Sequence, residues 1–114
     1  SDSADQALRA LFPHDDGETV DLSADITLSQ AFSDLQRVCQ TLDDAKKEEA
    51  KLKHKLQQAM GTATVATFNS GSLSWKQTAS VKRLDTKALQ QDHPGLCADY
   101  LKAYPGSRRF VVRK

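Results

Sequence analysis

The stretch Thr62-Ala63-Thr64-Val65-Ala66-Thr67-Phe68, followed by Asn69-Ser70-Gly71-Ser72 and then Leu73-Ser74-Trp75-Lys76, decides how this chain reads. Val65 and Thr67 fall on one side of a two-residue alternation, with Ala66 and Phe68 on the other; past the polar four, Leu73 and Trp75 share a side against Ser74 and Lys76. That period marks half-buried strands. Asn69 to Ser72 are turn formers, and a glycine accepts positive φ without a Cβ clash, so a hairpin with a loop of about four residues is predicted. The only tryptophan, Trp75, sits on the better strand and reads as the anchor of a small core, with base stacking or partner contact as the alternative.

Charge divides at this hairpin. Residues 1–60 hold seven Lys/Arg against twelve Asp/Glu, and residues 61–114 hold nine against three, so a net charge of +1 conceals an acidic half and a basic one. A basic half invites a polyanionic partner. At 114 residues the chain reads as a single domain in three parts: a short helix and loop over 1–26, a long helical arm over 27–60, and a small α+β subdomain over 61–114. Its start at Ser1-Asp2-Ser3, without Met, reads as a cut within a larger polypeptide. Cys39 and Cys97 lack metal-site or disulfide-framework spacing and are expected to be reduced and buried. No apolar run reaches the ~20 residues of a membrane span and no signal-peptide pattern opens the chain, so a cytoplasmic location is expected.

Upstream of the hairpin, Thr27 to Met60 contains no Gly or Pro and is rich in Ala, Leu, Lys, Glu and Gln, which predicts one helix of about thirty residues, near 50 Å long. Asp25 or Thr27 can cap its start and Gly61 its end. Leu28, Phe32, Leu35, Cys39 and Leu42 follow a four-three spacing, and Leu52, Leu56 and Met60 or Ala59 resume it. Between them the same seam meets Lys46, Glu49 and Lys53. The helix is read as an arm packed at each end on a different body, with self-pairing as a short coiled coil, or a bend at Asp43-Asp44 into a helical hairpin, as alternatives. Further upstream, Ser3 is expected to cap a short helix reaching Phe12, with Leu8, Leu11 and Phe12 on one face. Asp15-Asp16-Gly17 reads as a turn, with a brief extended piece at 19–22. His14 beside the two aspartates reads as solvated loop, because consecutive residues rarely converge on one ion.

Downstream, the second strand is expected to run to Thr78, and the residues 79–84 are extended in character. Asp85 is predicted to cap a helix over 86–91, and Pro94 to restart a helix that continues through Tyr104. Arg108 to Lys114 alternate as a final strand completing a small antiparallel sheet. The class is therefore α+β: a long N-terminal helix, then a small antiparallel sheet with one or two short helices over 86–104 and a C-terminal strand. Phe68, Leu73, Trp75, Leu84, Leu89, Leu96, Tyr100 and Phe110 are the expected core.

The catalytic groups of common enzyme classes are missing from the predicted strands. A metal-dependent nuclease core needs two carboxylates for a divalent ion and a nearby lysine, and these strands hold no Asp or Glu. There is no phosphate-cradling glycine loop, Gly-x-Ser-x-Gly turn or histidine cluster. His54 reads as solvent-facing and His93 as a helix cap. Lys76, Lys82, Arg83, Arg108, Arg109, Arg113 and Lys114 would cluster if the three strands are neighbours. Such a cluster suffices for phosphate binding, although lysine and arginine on a sheet edge also serve simply to discourage edge pairing.

Leu52-Lys53, Leu56 and Met60-Gly61, then Ala66-Thr67-Phe68, Gly71-Ser72-Leu73-Ser74-Trp75-Lys76, Arg83-Leu84-Asp85-Thr86-Lys87-Ala88-Leu89, Asp92-His93-Pro94-Gly95-Leu96, Tyr100 and Arg108-Arg109-Phe110 together resemble the C-terminal region of phage-type YqaJ viral recombinases, prophage nucleases related to the lambda exonuclease family. The similarity extends more weakly back through the long helix to Leu8–Phe12. The resemblance implies that a nuclease domain with magnesium-binding carboxylates and a catalytic lysine precedes this region, that Mg2+ belongs to that domain, and that none of those catalytic residues has a counterpart here. Beside it, the leading expectation is a non-catalytic accessory module whose basic face, with Lys76, Lys82, Arg83, Arg108, Arg109 and Arg113, helps hold DNA. The other expectation is a structural module that packs on the nuclease domain, forms a homo-oligomer or docks a single-strand annealing protein.

Overall fold

The computed structural model describes residues 2–113. Element order is α1 (Asp2–Leu11), α2 (Ile26–Met60), β1 (Val65–Phe68), β2 (Gly71–Ser74), α3 (Thr86–Asp92) and α4 (Pro94–Ala98), an α+β chain. The described residues divide into two compact units: one comprises residues 2–19 and 80–111, the other residues 20–79 and 112–113.

In the second unit α2 is one continuous helix of 35 residues, so no bend occurs at Asp43-Asp44. Its start is fixed by Asp25, whose Oδ1 accepts the Leu28 N–H at 3.0 Å, satisfying one of the amides that a first turn leaves unpaired. Thr27 lies inside the helix. Gly61 ends it at φ +57° and ψ −117°, a backbone state that costs a Cβ-bearing residue heavily, while its N–H still donates to Gln57 O at 3.1 Å. A hairpin follows directly. Val65 pairs with Ser74, Ala66 with Leu73, Thr67 with Ser72 and Phe68 with Gly71, and Trp75 N–H donates to Thr64 O at 2.8 Å. Directly opposed residues share a face, so Ala66 and Leu73 lie together, as both alternations require.

The register corrects the turn. Gly71 and Ser72 belong to the second strand, and only Asn69 and Ser70 connect the two. Neither has positive φ, nor does Gly71, so this two-residue loop is not of the primed kind that matches strand twist. Unprimed turns splay the strands they join, in keeping with ladders of only four residues each.

In the first unit, α1 begins at Asp2, ahead of the expected cap, which places Ser3 within its first turn. The aspartates at 15 and 16 fold the following loop: their side chains accept Gly17 N–H at 3.0 Å and Glu18 N–H at 2.9 Å, with Gly17 at φ +73°. Residues 19–22 form no strand. Asp85 caps α3 by accepting the Ala88 N–H at 3.0 Å, and Pro94 opens α4 after His93, whose side chain makes no capping bond.

Three expectations fail beyond this point. α4 ends at Ala98, followed by a turn, and does not reach Tyr104. Leu101 and Tyr104 are 75% and 79% exposed, so no packing rewards further turns, and Pro105 disfavours helical backbone at the residue before it. The sheet has two strands; residues 76–84 and 101–113 form none, including the expected C-terminal strand. Both outer edges of this short ladder stay unpaired, since four residues a side offer little apolar face for a third strand to cover. Lys114 lies outside the described residues.

The third failure is the core. Among the described residues no hydrophobic side chain is buried: Phe68, Trp75 and Leu96 are about half exposed, Leu84, Tyr100 and Phe110 more so, and Leu73 and Leu89 are the most covered of the expected set. Cys39 and Cys97 are free thiols and only half-buried.

Candidate nucleic-acid interface

In the first unit, Asp5, Leu8, Arg9 and Phe12 line a cleft together with Arg108, Arg109 and Phe110. Residues three and four apart on a helix share a face, which is why α1 and its immediate continuation can present Asp5, Leu8, Arg9 and Phe12 as one wall. The other wall is held by one bond: Arg108 Nη1 donates to the Phe12 carbonyl oxygen at 3.1 Å. That carbonyl lies where α1 stops, among groups left without intrahelical donors, so a guanidinium there satisfies both hydrogen bonding and the helix dipole.

A guanidinium has five N–H donors, and this bond leaves others free to face outward. Arg109 makes no hydrogen bond or ion pair among the described residues. Three guanidinium groups against the single carboxylate of Asp5 give the cleft a positive balance. Phe12 and Phe110, 60% and 87% exposed, stand beside them. Cations that pair with phosphate oxygens, flanked by exposed rings on which bases can stack, are the two ingredients of sequence-tolerant strand binding.

The second unit has a separate cleft in which Lys53, Leu56, Gln57 and Met60 of α2 face Leu73, Ser74 and Trp75 of the hairpin. Lys53 Nζ lies 3.4 Å from Glu49 Oε1, an exposed pair of small energetic weight. Asp21, ahead of α2, accepts both the Ser23 hydroxyl at 2.6 Å and the Ser23 N–H at 2.9 Å, and these bonds hold its carboxyl below the ordinary aspartate range.

All six described basic residues expected at the interface are exposed, but they do not form one face. Arg108 and Arg109 meet in the first cleft. Lys82 and Arg83 lie in the irregular segment before α3, in the same unit but outside that cleft's lining, and Lys76 and Arg113 belong to the other unit. The third strand that was to gather them is absent. Arg9 and Lys53 join the clefts, although neither was among the expected interface residues. For Arg9 the signal was its place beside Leu8 on the face ending at Phe12; for Lys53, its place on the seam with Leu56 and Met60.

Among the described residues no three His, Cys, Asp or Glu side chains converge to hold a metal ion, and no helix is long and apolar enough to cross a membrane. No family model, curated protein or solved structure matches the chain.

Proposed function

We infer that this chain is a non-catalytic accessory module of a phage-type DNA exonuclease, equivalent to the C-terminal region of the YqaJ-type recombinases that its motifs resemble, and that it holds DNA for chemistry performed by a preceding magnesium-dependent nuclease domain. The observation that carries the DNA-binding part is the cleft in which Arg9, Arg108 and Arg109 stand beside Phe12 and Phe110. Its contacts are to phosphates and base faces, so it binds without reading sequence.

The test is the double substitution Arg108→Ala and Arg109→Ala, titrated against short DNA of two unrelated sequences. The reading expects weaker binding to both by the same factor, with a salt slope lower by roughly one for each lost phosphate contact. Unchanged affinity and slope would remove the DNA role.

A second reading, a structural or partner-docking module without DNA contact, is favoured by a different observation. α2 carries Leu28, Phe32, Val38, Leu42 and Leu52 between 43% and 54% exposed, far more apolar helix surface than a solvated arm requires. The preceding nuclease domain, another copy of the chain or a single-strand annealing protein would each cover it.

A further inference from the structure

The seam of the long helix is half-buried at Leu35, Cys39, Leu56 and Met60 and exposed from Leu42 to Lys53. From Leu35 to Met60 the seam runs Leu35, Cys39, Leu42, Lys46, Glu49, Lys53, Leu56, Met60 in strict alternation of four and three, the spacing that keeps one line of side chains facing a second helix. Its centre is charged and its ends are apolar. A parallel copy would stack Lys46 on Lys46, Glu49 on Glu49 and Lys53 on Lys53, three like-charged layers in succession.

Reversing the second helix changes the outcome. In an antiparallel pairing that sets Lys46 against Glu49 of the second copy, symmetry sets Glu49 against Lys46 of that copy, and the two central layers become ion pairs. The same register places Cys39 against Leu56 and Leu35 against Met60, apolar on apolar, and lays the Lys53 stem along Leu42. Neighbouring positions agree: beside the seam, Ala45 meets Leu52 and Val38 meets Ala59, a small residue against a larger one each time. Val38 and Leu52, which lie off the four-three line and are 43% and 52% exposed, thereby gain cover. Lys53, Leu56 and Met60 of this seam also line the cleft opposite Leu73 and Trp75, so the second copy's Leu35 would enter that cleft.

We propose that α2 is an antiparallel self-association surface that pairs two copies of this chain through reciprocal Lys46–Glu49 contacts. The proposal does not rest on DNA binding and can fail or stand independently of it.

The experiment uses the 114-residue chain and needs no ligand. Light scattering across a concentration series is expected to show a monomer passing to a dimer. In a Cys97→Ser, Leu56→Cys chain, mild oxidation followed by peptide mapping is expected to yield a disulfide between Cys39 and the introduced cysteine at 56. These positions are more than four turns apart on one helix, so that bond can form only between copies. Glu49→Lys is expected to raise the dimer dissociation constant roughly tenfold or more, and adding Lys46→Glu to restore it. A chain that stays monomeric throughout the series overturns the proposal. So does mapping that returns only Cys39–Cys39 and 56–56 bonds, the pattern of a parallel pair.

Discussion

Arg108 Nη1 and the Phe12 carbonyl oxygen, 96 positions apart in the chain, are joined by a 3.1 Å hydrogen bond that closes the first unit. Removing it leaves the end of α1 with an unmet acceptor at a partly solvated site. Arg108→Ala is therefore expected to cost about 1 kcal/mol of local stability, read as faster amide exchange across α1, whereas Arg109→Ala leaves α1 exchange unchanged. Equal exchange in both variants would deny Arg108 a structural role.

The start of α2 depends on Asp25, whose carboxylate accepts the Leu28 N–H. Asp25→Ala is expected to destabilise the first turn by about 1 kcal/mol, and Asp25→Asn to be nearly neutral, since asparagine caps as well. Helical circular dichroism on heating, with protection of the Leu28 amide, distinguishes the two.

These signals were legible because they are local. An aspartate three residues ahead of an amide, a run of 34 residues without Gly or Pro from Thr27 to Met60, and two alternating stretches around Asn69-Ser70 each define their element from within. The same holds for Asp85 at α3. What failed was everything requiring a distant partner. Residues 108–113 alternate as a strand should, yet the ladder holds two strands among the described residues and both of its outer edges stay unpaired. Leu84, Leu96, Tyr100 and Phe110 are apolar enough for a core, but too little of the chain surrounds them to make one. The arginine cleft was half visible: Arg108 and Arg109 stood out by charge, while Arg9 joins them only because the C-terminal segment returns to α1.

At Gly61 a Cβ would meet no atom within 4 Å, so only backbone strain opposes substitution there. With φ at +57°, Gly61→Ala is expected to cost about 1–2 kcal/mol, measured as loss of exchange protection at the end of α2 and in the hairpin. An unchanged hairpin would show that the connection relaxes freely.

Asp21 titrates below the ordinary aspartate range because Ser23 donates to its ionised form twice. A carboxylate whose folded pKa is depressed contributes stability fully above its unfolded pKa and loses that contribution as pH falls through the folded value. Following the Asp21 carboxyl by NMR should therefore give a midpoint below that of an unstructured aspartate. Ser23→Ala removes the hydroxyl bond and should move the midpoint up. A midpoint indifferent to Ser23 would contradict the assignment.

The proposed function requires that this chain grip nucleic acid backbone while the chemistry is performed by a preceding nuclease domain. Its most direct test is the affinity of the unmodified 114-residue chain for short single- and double-stranded DNA over a range of salt concentrations, with magnesium present and strand integrity followed in the same samples. Binding is expected to weaken steadily with salt along a slope of roughly two to three, one phosphate for each guanidinium of the Arg9, Arg108 and Arg109 cleft, with the DNA left intact. Absence of binding at low salt, or binding indifferent to salt, would contradict the proposed function.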